Sequence, residues 1–337
     1  MNPRVFALRC ASGGAILVLL LAPICMFAQD RLPAAKPPAR TWTPPRTPDG
    51  QPDLQGTWTN ATITPFERPG NLAGQQVLSD EQAVALEEQA AEGRLDRPPR
   101  EGDVGNYNQF WFDRGTKVIS TKRTALIVDP PDGRVPSLTP EAQKRIAQRA
   151  AERRGRGPAD GPEDRSLQER CIYWQTAGPP MIPGPYNNNY QIVQAPGFVV
   201  VLSEMIHDAR VVPLDGRPHL DPDVRQWMGN SRGHWEGNTL VVDTTGFNGR
   251  ANFRNSDENL HLIERFTRVD PDTILYEFTV DDPTTFIRPW TAQIPMTRAT
   301  GEVFEYACNE GNYALQDILA GARADEKAAG AKRVPSN

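Results

Sequence analysis

From residue 186 to residue 308 the chain is a series of short runs rich in Val, Ile, Thr, Tyr and Phe, each stopped by Gly, Pro, Asn or Asp. Breakers at that spacing leave no room for a long helix. Inside the runs, apolar and polar residues alternate with the two-residue period of a half-buried strand. Turn signals recur at Ala195 to Gly197, Glu236 to Asn238, Asp270 to Thr273 and Asp281 to Pro283, most of them short enough to join antiparallel neighbours. This density predicts about 9–11 antiparallel strands in one barrel or sandwich. The expectation is a mainly β fold: an antiparallel barrel-like meander, lipocalin-like in the loose sense, with a few peripheral helices.

The helices announce themselves by their caps. Ser79 with Gln82 three residues on makes a capping box, and Asp80 and Glu81 fill the first turn of a helix reaching about Gly93. Thr139 before Pro140 and Glu141 starts a second, to about Arg153. A third is expected from about Tyr313 to Lys332. Lys117–Asp129 and Val303–Cys308 read as additional strands, and the Tyr107–Phe112 cluster as core or cavity lining. Residues 154–168, charged and bearing Gly and Pro, read as a surface loop. One corner is written twice. Ala125 to Arg134 and Ala209 to Arg217 each run from a strand into Asp-Gly-Arg, and each is followed by a helix start with proline behind Thr139 or Asp221.

Residues 1–28 have the form of a secretory signal peptide: Arg4 and Arg9, then the apolar run Ala15 to Met26, then Ala28 before the cut. A lipid anchor on Cys25 is disfavoured by the bulky Ile24 before it. Residues 29–52 carry seven prolines between Pro33 and Pro52 and read as an extended leader. Residues 53–337 then make one β-rich domain ending in the third helix. Loss of the signal takes the formal charge from −5 to about −7. An acidic surface argues against nucleic acid as a partner and against adsorption to anionic lipid. No second apolar run follows, so no stable membrane insertion is expected after cleavage. Periplasmic or secreted location follows, with oligomeric state left open. Cys171 and Cys308 remain outside the signal, an even pair in an oxidising compartment, and are expected to form a disulfide.

Chemistry-bearing residues gather between Tyr186 and Leu220. Tyr186, Asn187, Asn188, Asn189 and Tyr190 offer amides and phenols suited to hydroxyls, carbonyls or a carboxylate; equally, such a loop can spend those side chains on its own backbone. Glu204, His207, Asp208 and Arg210 follow. A histidine beside carboxylates suits general acid–base work. A structural His-Asp-Arg network at a sheet corner would use the same residues. A turn at Met205–Asp208 would shift the phase of the strands on either side. Further on, Val242, Ile263, Tyr276, Phe278, Ala292 and Ile294 are expected on one face, with Asp243, Glu264, Glu277 and Gln293 on the other. Those acids either face water or line a pocket in a wide barrel. His207, His219, His234 and His261 lack HxH or HExxH spacing, so no metal site is expected. Walker A and Rossmann glycine patterns are missing, so no cofactor is expected either.

The segments PDLQGTW, YNNNYQIVQ, MIHDARVVPLDGRPHL, GHWEGNTLVVDTTGFN, ERFTRVD, LYEFTVDDP and CNEGNYAL resemble a large family of exported bacterial proteins, over most of the chain from about residue 48. The resemblance implies export and a single shared domain, and carries no catalytic residues with it. Two functions stay open. One is a periplasmic small-molecule-binding barrel whose cavity is lined by the aromatics and by the polar set from Tyr186 to Arg210. The other is a cofactor-free lyase, isomerase or hydrolase using His207 with Asp208 or Glu204.

Overall fold

Two-residue turns set the register of this molecule. In the computed structural model, which describes residues 42–93, 112–251 and 253–333, Gly197 (φ 80°) closes one hairpin and Gly237 (φ 61°) another. Pro196 before Gly197 fits a type II turn, whereas positive φ at Gly237 alone fits type II′. The expected signal peptide, the leader as far as Thr41 and the aromatic residues Tyr107 to Trp111 lie outside the described residues.

Ten strands form among the described residues: β1 (Gly56–Thr59), β2 (Ile127–Asp129), β3 (Asn189–Ala195), β4 (Phe198–Ser203), β5 (Ala209–Pro213), β6 (Asn230–Glu236), β7 (Thr239–Thr245), β8 (His261–Asp270), β9 (Thr273–Asp281) and β10 (Trp290–Arg298). The order around the sheet is β5-β4-β3-β1-β10-β9-β8-β7-β6, every pair antiparallel, with β2 attached beside β10. Its two ends, β5 and β6, come side by side without a hydrogen-bonded ladder, so the sheet is a nearly closed barrel. Gly233 makes that approach possible. A β-carbon there would sit 2.7 Å from Leu214 Cδ2 and 2.8 Å from Val212 Cγ1, so the two edges close by side-chain packing.

The barrel interior is filled. Phe266, Tyr276, Phe278, Trp290, Ile294 and Met296 are fully buried, and the Phe278 and Trp290 rings meet edge to face at 5.9 Å. Phe253 stacks on Trp290 at 6.0 Å and closes the layer below. Burial of each such side chain contributes roughly 1.5–3 kcal/mol. These aromatics form a core.

The helices α1 (Asp80–Glu92), α2 (Pro140–Glu152) and α3 (Tyr313–Arg333) lie where their caps indicate. Both arms of the Ser79/Gln82 capping box are made, and Thr139 accepts from the Ala142 amide at 3.1 Å. The described part of the proline-rich leader is folded: Thr47 donates its amide to Gln51 O at 2.9 Å, and Pro44, Pro52 and Leu54 are buried.

Four local expectations are corrected. Only Ile127–Asp129 of the Lys117–Asp129 run pairs as a strand, because Lys122 (φ 54°) turns the chain back to Ile119 and Leu78. Val303–Cys308 joins no strand ladder of the sheet. The Asp-Gly-Arg turn does recur, with Asp132 accepting from the Arg134 amide at 3.1 Å and Asp215 from that of Arg217 at 3.2 Å. A helix follows only the first; after Asp221 a single turn gives way to Gln226, whose amide binds Gly246 O at 2.9 Å. In β8 the phase is reversed: Leu262, Glu264 and Phe266 point inward and Ile263 outward.

Candidate functional site

Strands β3 and β4 end side by side, with Asn189 of β3 next to the Tyr190–Ser203 pair. Beyond Ser203 the chain turns sharply, with Ile206 (φ 66°) and His207 (φ 50°) in the left-handed region. For a β-branched residue that conformation is costly, and it persists because packing fixes it. Met205 and Ile206 are buried with Ala177 against Trp174, Tyr186 and Tyr306. This corner changes the phase between β4, whose Val199, Val201 and Ser203 face inward, and β5, whose Arg210 and Val212 do so.

Outside this corner lies a groove of about 1110 Å³. Its floor is the outer face of the barrel where Thr59 of β1, Asn189 of β3 and Thr297 of β10 lie close together. One wall is the 113–120 segment. The other is a strap, residues 299–308, that leaves β10 and runs to Cys308. The Cys171–Cys308 disulfide ties down its end, with Cα atoms 5.7 Å apart. Glu204 ties its middle: one carboxylate oxygen accepts from the Phe304 amide at 3.0 Å and the other from Asn189 Nδ2 at 2.8 Å. His207 holds the strap from behind. Its Nδ1 lies 2.9 Å from Tyr306 O, which only accepts, so this nitrogen carries the proton.

The residues singled out in the sequence divide three ways. Tyr186, Asn187, Asn189 and Glu204 line the groove. Asn187 (φ 54°) makes the left-handed step that feeds β3, a conformation asparagine tolerates. Tyr186 rests on Trp174, ring centroids 5.5 Å apart. His207 and Asp208 are not in the groove wall; His207 is exposed, and burial pushes the half-buried Asp208 carboxyl up, against the pull of His207. Asn188, Tyr190 and Arg210 are interior. Asn188 exchanges bonds with the Gly184 amide (2.7 Å) and carbonyl (3.2 Å) and donates to the Asp113 carbonyl, tying its own loop to the 113–120 wall. Tyr190 donates to Thr176 O at 2.6 Å, and burial pushes its phenol up.

Arg210 crosses the barrel lumen to Glu264, which the sequence had set among the outward acids. Its guanidinium makes a two-pronged contact, with Nη2 3.0 Å from Oε1 and Nη1 on Oε2, and Tyr276 donates to the same Oε1 at 2.8 Å. Burial works against the Arg210 charge, but the Glu264 charge and hydrogen bonds outweigh it and leave the guanidinium pKa raised. Burial, reinforced by Glu264, likewise raises the Tyr276 phenol.

The two cations of the groove lining are committed. Lys117 pairs with Glu87 at 2.6 Å, and Arg298 lies over the Trp58 ring at 4.6 Å with Asp272 3.5 Å away. What the groove offers a ligand is chiefly hydroxyl and amide groups, such as Thr116, Thr297, Thr300 and Asn187, beside the Phe304 ring, which is 69% exposed. Sequence reading missed the Thr-lined floor and the strap. Their only signal was an alternation of Thr with apolar residues that any outward strand face shares.

A second cluster also escaped the spacing search. Asp243 of β7 receives His219 Nε2 at 2.8 Å on one oxygen and His261 Nε2 at 2.7 Å on the other. Among the described residues no group of three or more His, Cys, Asp or Glu is disposed to hold a metal ion, and no helix is long and apolar enough to cross a membrane. Comparison with family models, with curated proteins and with solved structures finds no match to this chain.

Proposed function

We propose that this chain is an exported binding protein whose small polar organic ligand occupies the groove outside the barrel wall. The observation that carries the reading is the groove itself. Its 1110 Å³ exceeds the roughly 300–1,000 Å³ of ordinary small-molecule sites, and its cations, Lys117 and Arg298, are already engaged. Hydroxyls, amides and an aromatic face favour an uncharged ligand rich in hydroxyl or carbonyl groups over an ionic one. The signal-like residues 1–28 and the Cys171–Cys308 disulfide support a periplasmic or secreted location. No observation favours the acid–base enzyme reading, since His207 and Asp208 stand outside the groove wall.

The test is a thermal-shift and NMR screen of the purified chain against neutral oligosaccharides, polyols and hydroxy acids. A ligand at about 100 times its Kd should stabilise the fold by about 2.7 kcal/mol. Tyr186→Ala should weaken that binding and Thr297→Trp, which fills the floor, should abolish it. His219→Gln, remote from the groove, should leave it unchanged. A ligand whose affinity ignores Thr297→Trp would place the site elsewhere, and the proposal would fall.

A further inference from the structure

The β5–β6 seam is the one junction in the strand order with no ladder, and the connection that crosses it, residues 214–229, is held in two different ways. Its second half is fixed by bonds whose groups do not titrate near neutral pH: Gln226 N to Gly246 O at 2.9 Å, Asn248 N to Gln226 O at 2.9 Å, and Arg225 Nη1 to the Glu258 carbonyl at 2.7 Å. Its first half is tied by Leu214 N to Gly197 O at 2.8 Å, by Arg232 Nε, which reaches Pro218 O at 2.9 Å, by Leu220 N to Asn230 Oδ1 at 3.1 Å, and by His219.

His219 is held at both ring nitrogens. Nε2 faces Asp243 Oδ1 at 2.8 Å, and Nδ1 faces Asn230 Oδ1 at 3.2 Å. That asparagine oxygen already accepts the Leu220 amide at 3.1 Å, so it is the oxygen and not the amide nitrogen. Both partners of His219 are therefore acceptors, and making both bonds needs the imidazolium, with a proton on each nitrogen. His261 donates to the remaining oxygen of Asp243.

We propose that His219, Asp243 and His261 form a proton-sensitive latch that pins the first half of the 214–229 connection across the seam, fully made when the His219 ring carries both protons and loosened at its Asn230 arm when only the Nε2 proton facing Asp243 is left. The surrounding charges fit that sense. On β9 the acidic Asp281 is the register partner of His261 and favours its cation. From β6, Arg232 is the register partner of Asp243, but its guanidinium is turned to the carbonyls of Pro218 and Ser231. On the connection itself Asp215 is paired with Arg217, and Asp221 accepts the Asp223 amide at 2.9 Å. Arg265, farther along β8, is engaged by Glu236 at 2.8 Å.

The pH window follows from the two shifted groups. The hydrogen bond to Asp243 raises the His261 pKa above its ordinary 6.5, against desolvation and with help from the Asp243 and Asp281 charges. Its contribution is complete below 6.5 and fades as pH rises through the higher folded value. Burial works to raise Asp243, but its two histidines outweigh that and hold it below 3.8, so its contribution is present above 3.8 and lost only in stronger acid.

Hydrogen exchange of the intact, disulfide-bonded chain tests the latch, with rates corrected for intrinsic pH dependence. Between about pH 5.5 and about pH 8.5, protection of the Leu220 amide, the one amide of residues 215–222 shown bonded across to β6, should fall about tenfold or more, while the barrel strands stay unchanged. In His219→Gln that amide should be equally open at both pH values. Asp243→Asn should bring the His261 titration, followed by NMR, back down toward its ordinary midpoint. Wild-type protection that is the same at both ends of the range would overturn the proposal. So would a pH response that survives His219→Gln.

Discussion

Arg210 and Glu264 show how much one residue's address can change its meaning. Each is charged and each is buried, joined across a lumen otherwise filled by aromatic and aliphatic side chains. Removing one partner leaves the other charged in a medium that cannot solvate it. Arg210→Ala or Glu264→Ala should therefore each destabilise the fold by about 3–5 kcal/mol. The double change Arg210→Met with Glu264→Leu should cost less than either, because no charge is left; what remains is the Tyr276 hydroxyl, which keeps the Met181 amide at 3.0 Å as donor to it but loses Glu264 as its own acceptor. Urea unfolding with the disulfide intact measures all three. A double variant as damaged as the singles would mean that the pair's geometry, and not its mutual neutralisation, holds the lumen together. The sequence showed both residues yet could not pair them. Period-two alternation reads Glu264 as outward because carboxylates usually are, and its partner lies 54 positions away on another strand. The Tyr186–Tyr190 run was legible in part for the same reason. Asparagine and tyrosine could be seen as hydrogen-bonding residues, but which of them faced the groove depended on where β3 began.

At the scale of elements, what could be read was what is local. The capping box of α1 and the proline start of α2 lie within four residues of the turns they fix, and both helices begin where those signals indicate. The strap could not be read. Val303–Cys308 has strand composition, but no free edge meets it; its Phe304 amide goes to a side chain 100 residues away. That tie gives a prediction. A glutamine at 204 has one acceptor and one donor end, whereas both native neighbours, the Phe304 amide and Asn189 Nδ2, are donors. Glu204→Gln should cost about 1–3 kcal/mol and speed exchange of the Phe304 amide. Loss of the disulfide through Cys171→Ser with Cys308→Ser should cost about 2–5 kcal/mol, since it closes a long loop. Because both ties hold one strap, the two effects should fall short of additive when combined. Full additivity would mean that the strap does not open as a unit.

On the scale of the whole molecule the question is what closes the barrel, since eight of the nine junctions around the ring are made by hydrogen-bonded ladders and the ninth is not. A ladder fixes spacing through the backbone, but the β5–β6 seam has to fix it through side chains. Leu214 and Val212 lean over the place where Gly233 has no side chain. Ordinary strand preferences would favour valine there, because glycine weakens a strand and a β-branched residue suits one. The close approach reverses that sign. Val212 is fully buried and cannot retreat without opening the core behind it, although the far end of Leu214 can move. Gly233→Val should therefore destabilise by about 1–3 kcal/mol, the usual cost of overpacking, and Leu214→Ala in the same chain should restore only part of the loss. The damage should localise: exchange should rise in β5 and β6 while β8, β9 and β10 keep their protection. A gain in stability from Gly233→Val would show a seam with slack in it. The closure would then rest on the 214–229 connection and its histidine latch alone, and the pH response of the whole barrel would grow accordingly.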